Sequence, residues 1–213
     1  MKIKFKKYWR KTSLKNKEDG HFFLNHIKKK KPKNFLEIGV FHGVTSRNVC
    51  ELLYLIHGED FKFTGIDLFS NDKKVSDEEI APKTKFLNPL KNIYYKYLIR
   101  MDPYSYESVL KLLKKFKQNV NIIKGNSSLI LKEINLDKID YVFLDGGHKF
   151  ETVKTDLENL TKIINNNGVV LCDDYNLSYA PGVRRAINEY VSEKKFNLKI
   201  LNSRFAEITK SYS

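Results

Sequence analysis

Cysteine is scarce in this chain: Cys50 and Cys172 are the two in 213 residues, far apart and each inside an apolar segment. That excludes a disulfide framework or a cysteine-based metal site, and it suits buried thiols in a reducing compartment. No apolar run approaches the length that crosses a bilayer, and the opening MKIKFKKYWRK lacks the apolar core of a secretory signal. The expectation is a cytoplasmic protein with no membrane span. Internal repeats are missing, and so is the G-x-G-x-x-G pattern of a dinucleotide loop, which argues against a nicotinamide oxidoreductase. Acidic residues are outnumbered, 25 against 39 Lys and Arg, for a formal net charge of +14. Such an excess could face nucleic acid, an anionic surface or an acidic substrate. Here it is almost all lysine, scattered among Asn and Ile, and reads as the composition of an AT-rich coding sequence. Lys2–Lys7 and Lys28–Lys33 are the densest basic runs.

What is present is enough to build one domain: 41% hydrophobic and 13% aromatic residues over 213 positions. Residues 1–33 form a polar, basic segment with a short amphipathic helix through Phe22, Phe23, Leu24 and Ile27. From residue 34 to 213 apolar runs and helical spacings alternate. Strands are expected at Asn34–Val40, Phe61–Phe69, Val120–Lys124, Ile139–Leu144 and Gly168–Cys172. Helices are expected at Val44–Ile56, around Val109–Phe116, at Ser128–Ile134, from Phe150 to a stop at Asn-Asn-Asn-Gly (165–168), and at Val183–Val191. Phe196–Leu201 and Phe205–Thr209 close the chain as a hairpin turning at Asn202–Arg204. This alternation predicts an α/β fold, a doubly wound and mostly parallel seven-stranded sheet with one antiparallel strand. Ser70–Tyr106 is too long for a plain connection. It reads as an insertion with local helices after the second strand, a lid over the carboxyl edge where such sheets bind ligands.

The first strand runs into FLEIGVFHGVTS, that is Glu37, Gly39 and Gly43, followed by Thr45 and Ser46 in the first helical turn. Glycine at the strand end permits a sharp turn and a close ligand approach, while the carboxylate two positions earlier suits a cation better than a diphosphate. The second strand ends in Asp67, placed to accept hydrogen bonds from both hydroxyls of a ribose. Together they suggest a positively charged nucleoside, and S-adenosylmethionine fits. His42 lies in the same loop and either faces the ligand or, as the more expected reading, packs or is solvated.

With these motifs the chain, from about Phe35 to Thr209, resembles the class I S-adenosylmethionine-dependent methyltransferases. The resemblance implies a Rossmann-like methyltransferase fold. It implies a cofactor site of Glu37, Gly39, Gly43, Thr45, Ser46, Asp67, Asn126, Ser127 and Asp145, with Asn126 where the family usually has an acid near the adenine. The last third resembles a metal-dependent subgroup that includes catechol O-methyltransferase and, more closely, macrocin-type sugar O-methyltransferases and cephalosporin hydroxylase-like proteins. Its signature is an acid closing the fourth strand, a base three residues on, and two ligands closing the fifth: Asp145 and His148 in FLDGGHKF, then Asp173 and Asp174 in LCDDY.

The resemblance makes Asp145, Asp173 and Asp174 the ligands of Mg²⁺ or another divalent cation, since all-oxygen ligation favours a hard ion. Asp145 and His148 become the catalytic pair, with His148 taking the proton of an acceptor hydroxyl. Tyr175 and Pro181–Arg185 either shape the acceptor pocket or simply start a helix. The expected partner is a small hydroxylated molecule, a sugar or glycosylated metabolite first and a catechol-like acceptor second; a homo-oligomer stays open. A nucleic-acid methyltransferase would need an Asn/Asp-Pro-Pro-aromatic motif where Asp-Gly-Gly-His stands. A non-catalytic S-adenosylmethionine binder is the remaining alternative.

Overall fold

The computed structural model describes residues 4–70, 86–136 and 138–211. Seven strands form one sheet: β1 (Asn34–Ile38), β2 (Lys62–Asp67), β3 (Val120–Lys124), β4 (Ile139–Leu144), β5 (Ile164–Cys172), β6 (Asn197–Leu201) and β7 (Phe205–Thr209), in the order β3-β2-β1-β4-β5-β7-β6. β1 to β5 are parallel to one another, whereas β7 runs antiparallel to both β5 and β6. The doubly wound, mostly parallel sheet expected from the alternation is therefore what forms. Its direction of growth reverses between β1 and β4, and a ligand crevice opens at such a switch point.

Both faces of the central strands are covered, which is why they read as unbroken apolar runs. Successive residues serve opposite faces. Tyr141, Phe143, Val169 and Leu171 enter one core with Phe23, Phe35 and Phe205, whereas Val142, Leu144, Val170 and Cys172 enter the other with Leu157, Val183 and Ile187. The first core is closed by α1 (Lys17–Lys30) and α2 (Val44–His57). Phe23 of α1 lies 4.5 Å, centroid to centroid, from Phe143 of β4, so part of the basic leading segment belongs to the core. α1 has Glu18 and Asp19 in its first turn and Lys28–Lys30 in its last, the charge order that opposes the helix dipole.

Of the expected insertion, residues 71–85, including Pro82, lie outside the described residues. Its remainder holds α3 (Pro89–Ile93), capped by Asn88 and continued by a wider π turn at Tyr94–Ile99, and then α4 (Tyr106–Leu113). The second face is covered by α5 (Ser127–Glu133), α6 (Phe150–Ile163) and α7 (Pro181–Lys194). One expectation needs correction. Asn165–Asn167 belong to β5 rather than to a loop, and the β4–β5 register shifts between Ile139, opposite Ile164, and Tyr141, opposite Val169. A bulge absorbs the extra residues, and Asn165 Nδ2 donates to Asp140 there. Among the described residues no helix is long and apolar enough to cross a membrane.

Candidate active site

Strand register decides what meets at the carboxyl edge. Ile38 pairs with Ile66 and Leu144, and Leu144 pairs with Cys172, so Asp67, Gly39, Asp145 and Asp173 form one row across four strands. Backbone bonds extend the row past the strands: Gly39 N donates to Ile66 O, Asp145 N to Ile38 O and Asp173 N to Leu144 O, each at 2.9 Å. Gly39 turns at φ 91°, and a Cβ there would sit 2.0 Å from the Asp145 carbonyl oxygen. Only glycine lets β1 and β4 lie this close as the chain leaves the sheet.

The loop after β1 leads into α2 through Gly43, at φ 73°, with Thr45 and Ser46 buried in the first turn. Ser46 Oγ donates to Glu37 Oε2. Glu37 Oε1 is buried with no partner, and burial pushes this carboxyl up to about 8, with the Asp67 charge adding to it and the Ser46 bond opposing it. His42, fully buried, accepts weakly at Nδ1 from Lys11 N (3.4 Å), while its Nε2 is the second orphan of the loop. Burial, then Arg10 and Lys11, pushes His42 down to about 3, so it is a neutral ring. With Nδ1 accepting, the unpaired Nε2 carries the proton.

Asp67 accepts from Phe41 N (2.7 Å), Phe69 N (2.8 Å) and the Tyr104 hydroxyl (3.1 Å). Asn126 caps α5, its Oδ1 accepting from Ser128 N at 2.9 Å. Ser127 and Ser128 hydroxyls both donate, at 2.8 Å, to Asp156 of α6, so the Ser127 side chain serves the loop's own geometry. Expected cofactor residues from β1, β2 and β4 thus share one row, and Asn126 and Ser127 follow β3, which flanks β2.

On the other side of the row Asp145, Asp173 and Asp174 converge. Burial, and then the charges of Asp173 and Asp174, hold the Asp145 carboxyl well above its usual range. Asp173 is pushed up to about 6 by burial, with Arg204 opposing and Asp174 adding. Asp174 turns the chain at φ 60°, and its Oδ2 lies 3.1 Å from His148 Nε2. A pocket beside them is lined by Asp145, His148, Val153, Asp173, Asp174 and Val183. Pro181 begins α7, with Arg184 over Tyr175 and Arg185 over Phe150, so the Pro181–Arg185 stretch starts a helix whose Val183 also lines this pocket.

Three contacts were not read from the sequence. Ser13 Oγ donates to Asp145 Oδ2 at 2.5 Å, from a segment that also places Arg10 on the carbonyls of His42, Pro103 and Ser108. Tyr104 reaches Asp67 from the insertion. Arg204 Nε and Nη2 grip both oxygens of Asp173, at 2.5 and 2.7 Å. The last had a signal. An antiparallel β7 must begin where β5 ends, and Cys172 pairs with Ala206, so the hairpin turn stands beside LCDDY.

The expected metal site was tested against this arrangement. The donors are hard oxygens, as a divalent ion requires. Yet both Asp173 oxygens are held by Arg204, and Oδ1 also accepts from Asp174 N at 2.8 Å. Among the described residues no group of three or more His, Cys, Asp or Glu side chains is placed to hold an ion. As arranged, the acid trio does not fit a metal cage.

Comparison with known proteins gives the following. The family described as a methyltransferase domain matches residues 36–175. A curated relative, uncharacterized protein R132 of Acanthamoeba polyphaga mimivirus, is 28% identical over 117 residues, 49% of this chain and 52% of that protein. The match thus spans about half the length of that relative. Among solved structures, the O-methyltransferase NovP superposes with TM-score 0.66 at 17% identity, covering 89% of this chain and 80% of its own. The SAH-bound methyltransferase PaMTH1 of Podospora anserina gives 0.62 at 14%, covering 93% and 80%. CalS11, described as a TDP-rhamnose 3'-O-methyltransferase, gives 0.58 at 13%, covering 90% and 79%. At these identities the likeness is one of fold.

Proposed function

Because the chain belongs to the methyltransferase-domain family, we propose that it moves a methyl group from S-adenosylmethionine to a hydroxyl of a small acceptor, a sugar or glycosylated metabolite. The observation that carries this reading is the pair of buried orphan atoms at the end of β1 and in the loop after it, Glu37 Oε1 and His42 Nε2. His42 Nε2 is a donor and Glu37 Oε1 becomes an acceptor once its carboxyl gives up its proton, and buried polar atoms without partners are costly. An amino-acid-bearing ligand supplies both complements: its ammonium for Glu37 and its carboxylate for His42. Asp67, already gathering donors, suits a ribose edge, and the Gly39 turn brings the end of β1 directly against the end of β4 at Asp145. A hydroxyl acceptor is supported by His148 and its neighbour Asp174, and the sugar class by the fold shared with CalS11. Residues 34–213 are the transferase domain in this reading, with 70–106 as the lid that selects the acceptor.

When bound, the donor would supply an electrophilic methyl on a sulfonium, whose S–CH3 bond breaks to leave the neutral thioether of S-adenosylhomocysteine. The chain's part is to orient and to move one proton. Glu37 and His42 fix the amino-acid end, and Asp67 fixes the ribose. His148 takes the acceptor's hydroxyl proton as oxygen attacks the methyl carbon, and the Asp174 carboxylate stabilises the imidazolium that results. The divalent ion expected from the sequence was the finer part of this reading. Since the acids as placed do not fit it, no step is routed through an ion.

Two results test the proposal. S-adenosylhomocysteine at about a hundred times its dissociation constant should stabilise the protein by ~3 kcal/mol in a melting experiment, with NAD as the inert control. No shift with the adenosyl ligand sinks the reading. Binding should also depend on pH through Glu37. Its carboxyl is neutral below about 8 in the free protein, whereas an ammonium prefers the carboxylate. Affinity is therefore expected to rise about tenfold per pH unit as pH climbs towards that value, with one proton released on binding. Stability of the free protein runs the other way. The raised carboxyl contributes fully below its unfolded value of 4.5, and that contribution is lost as pH rises towards about 8. Calorimetry from pH 6 to 9 in buffers of different ionisation enthalpy reads the proton, and Glu37→Gln should flatten the dependence. An unchanged slope in that variant removes Glu37 from the ammonium site.

A further inference from the structure

The acid cluster poses a problem that the proposed reaction does not address. Asp145, Asp173 and Asp174 stand at the ends of two neighbouring strands, and Asp19 of α1 joins them through the hairpin turn. Buried carboxylates at this spacing repel unless a cation lies among them. One does. Arg204 Nε and Nη2 hold Asp173 in a two-toothed fork at 2.5 and 2.7 Å, Nη2 also lies 3.4 Å from Asp174 Oδ1, and Nη1 lies 3.2 Å from Asp19 Oδ2. Nη2 further donates to the Ser13 carbonyl at 3.3 Å, and the same residue's hydroxyl caps Asp145. Asn202 of the turn donates to the other Asp19 oxygen at 3.0 Å.

We infer that Arg204 is the resident cation of this cluster, a positioning residue that takes the place a divalent ion would need and holds Asp173 and Asp174 in shape without one. Three observations support it independently of any metal. The antiparallel register, Cys172 opposite Ala206, fixes Arg204 next to the acid pair by topology rather than by a flexible reach. The guanidinium matches a carboxylate as a planar fork, the geometry in which arginine is not replaceable by a point charge. Each carboxylate already has a partner in the chain: Ser13 for Asp145, Arg204 for Asp173, His148 for Asp174, and Arg204 with Asn202 for Asp19. An ion taking Asp173 as a ligand would have to dislodge Arg204, stranding a part-buried guanidinium and leaving Asp19 without its counter-charge. The role of the cluster in catalysis rests on the function proposed above; the identity of its cation does not.

The experiment measures metal binding directly. The full chain, stripped with a chelator, is titrated with Mn²⁺ while the free ion is followed by its electron paramagnetic resonance signal, and melting is recorded with and without Mg²⁺. The wild type is expected to show no saturable Mn²⁺ site below the millimolar range and a melting temperature indifferent to chelator and to Mg²⁺. Arg204→Met should melt lower, bind Mn²⁺ at least roughly tenfold more tightly, and regain part of its stability when the ion is added. Arg204→Lys keeps the charge but loses the fork, and should fall between the two; it also serves if the methionine variant does not fold. Micromolar Mn²⁺ binding by the wild type that Asp173→Asn abolishes, or weaker binding in either Arg204 variant, overturns the inference. A parallel titration with S-adenosylhomocysteine in chelator keeps the two readings apart. Failure to bind it sinks the methyl-transfer reading and leaves the Arg204 result standing.

Discussion

Gly39→Ala should unfold this protein at a markedly lower temperature than any other single glycine-to-alanine change in its loops. Two costs coincide there. The backbone sits at φ 91°, where an L side chain is strained by about 1–3 kcal/mol. The added carbon would also meet the Asp145 carbonyl oxygen at 2.0 Å and its carbon at 2.5 Å. These are backbone atoms, held by the bond from Asp145 N to Ile38 O, and they cannot swing aside as a side chain can. Relief requires parting β1 from β4, an overpacking cost of a further ~1–3 kcal/mol. The expected loss is about 4 kcal/mol, or a fall of roughly 8–16 °C in a domain of this size. Gly58→Ala is the control. It has positive φ, at 64°, but nothing within 4 Å of the added carbon, so it isolates the conformational part. Equal melting of the two variants would mean that the ends of β1 and β4 are not packed as described.

The second large effect concerns turnover rather than stability. His148→Ala is expected to reduce the rate of methyl transfer to a hydroxyl acceptor by about 10²–10⁴-fold, the range that loss of a general base commonly costs. Binding of S-adenosylhomocysteine should be nearly unchanged, because the cofactor site proposed above rests on Glu37, Gly39, His42 and Asp67 and not on His148. The assay is transfer of a labelled methyl group across a panel of nucleotide sugars and simple catechols, run beside calorimetric titration of the adenosyl product. A loss below about threefold, with cofactor binding intact, would take His148 out of the proton transfer. A comparable loss in binding would make it a structural residue instead. The panel also separates the two acceptor classes, since a catechol preference would replace the sugar reading while keeping the methyl-transfer one.

Much of the site was legible before the fold was seen, for a physical reason. Parallel strands buried on both faces must read as apolar runs, and the first polar or glycine residue after each run must stand at the same edge. Gly39, Asp67, Asp145 and Asp173-Asp174 could therefore be expected at one edge from the strand ends and the family resemblance together, and the register places Gly39, Asp67, Asp145 and Asp173 in one row. The bulge at Asn165–Asn167 was not legible, because a polar Asn run with a glycine after a helix carries the composition of a loop. Only the pairing with β4 shows that it lies in the strand.

What the sequence determined by itself was the class of fold, the edge on which chemistry gathers and the residue types offered there. Local periodicity and strand ends encode those directly. The tertiary structure alone decided who neutralises whom. Arg204 lies 30 residues or more from the acids it holds, Ser13 lies 132 residues from Asp145, and the unpaired Nε2 of His42 is a property of burial. Charge balance in a buried site depends on distance and solvent exclusion, and neither is written in the order of residues along the chain. Three acids in a sequence look like a request for a metal; the folded chain answers it with the arginine that closes its last hairpin turn.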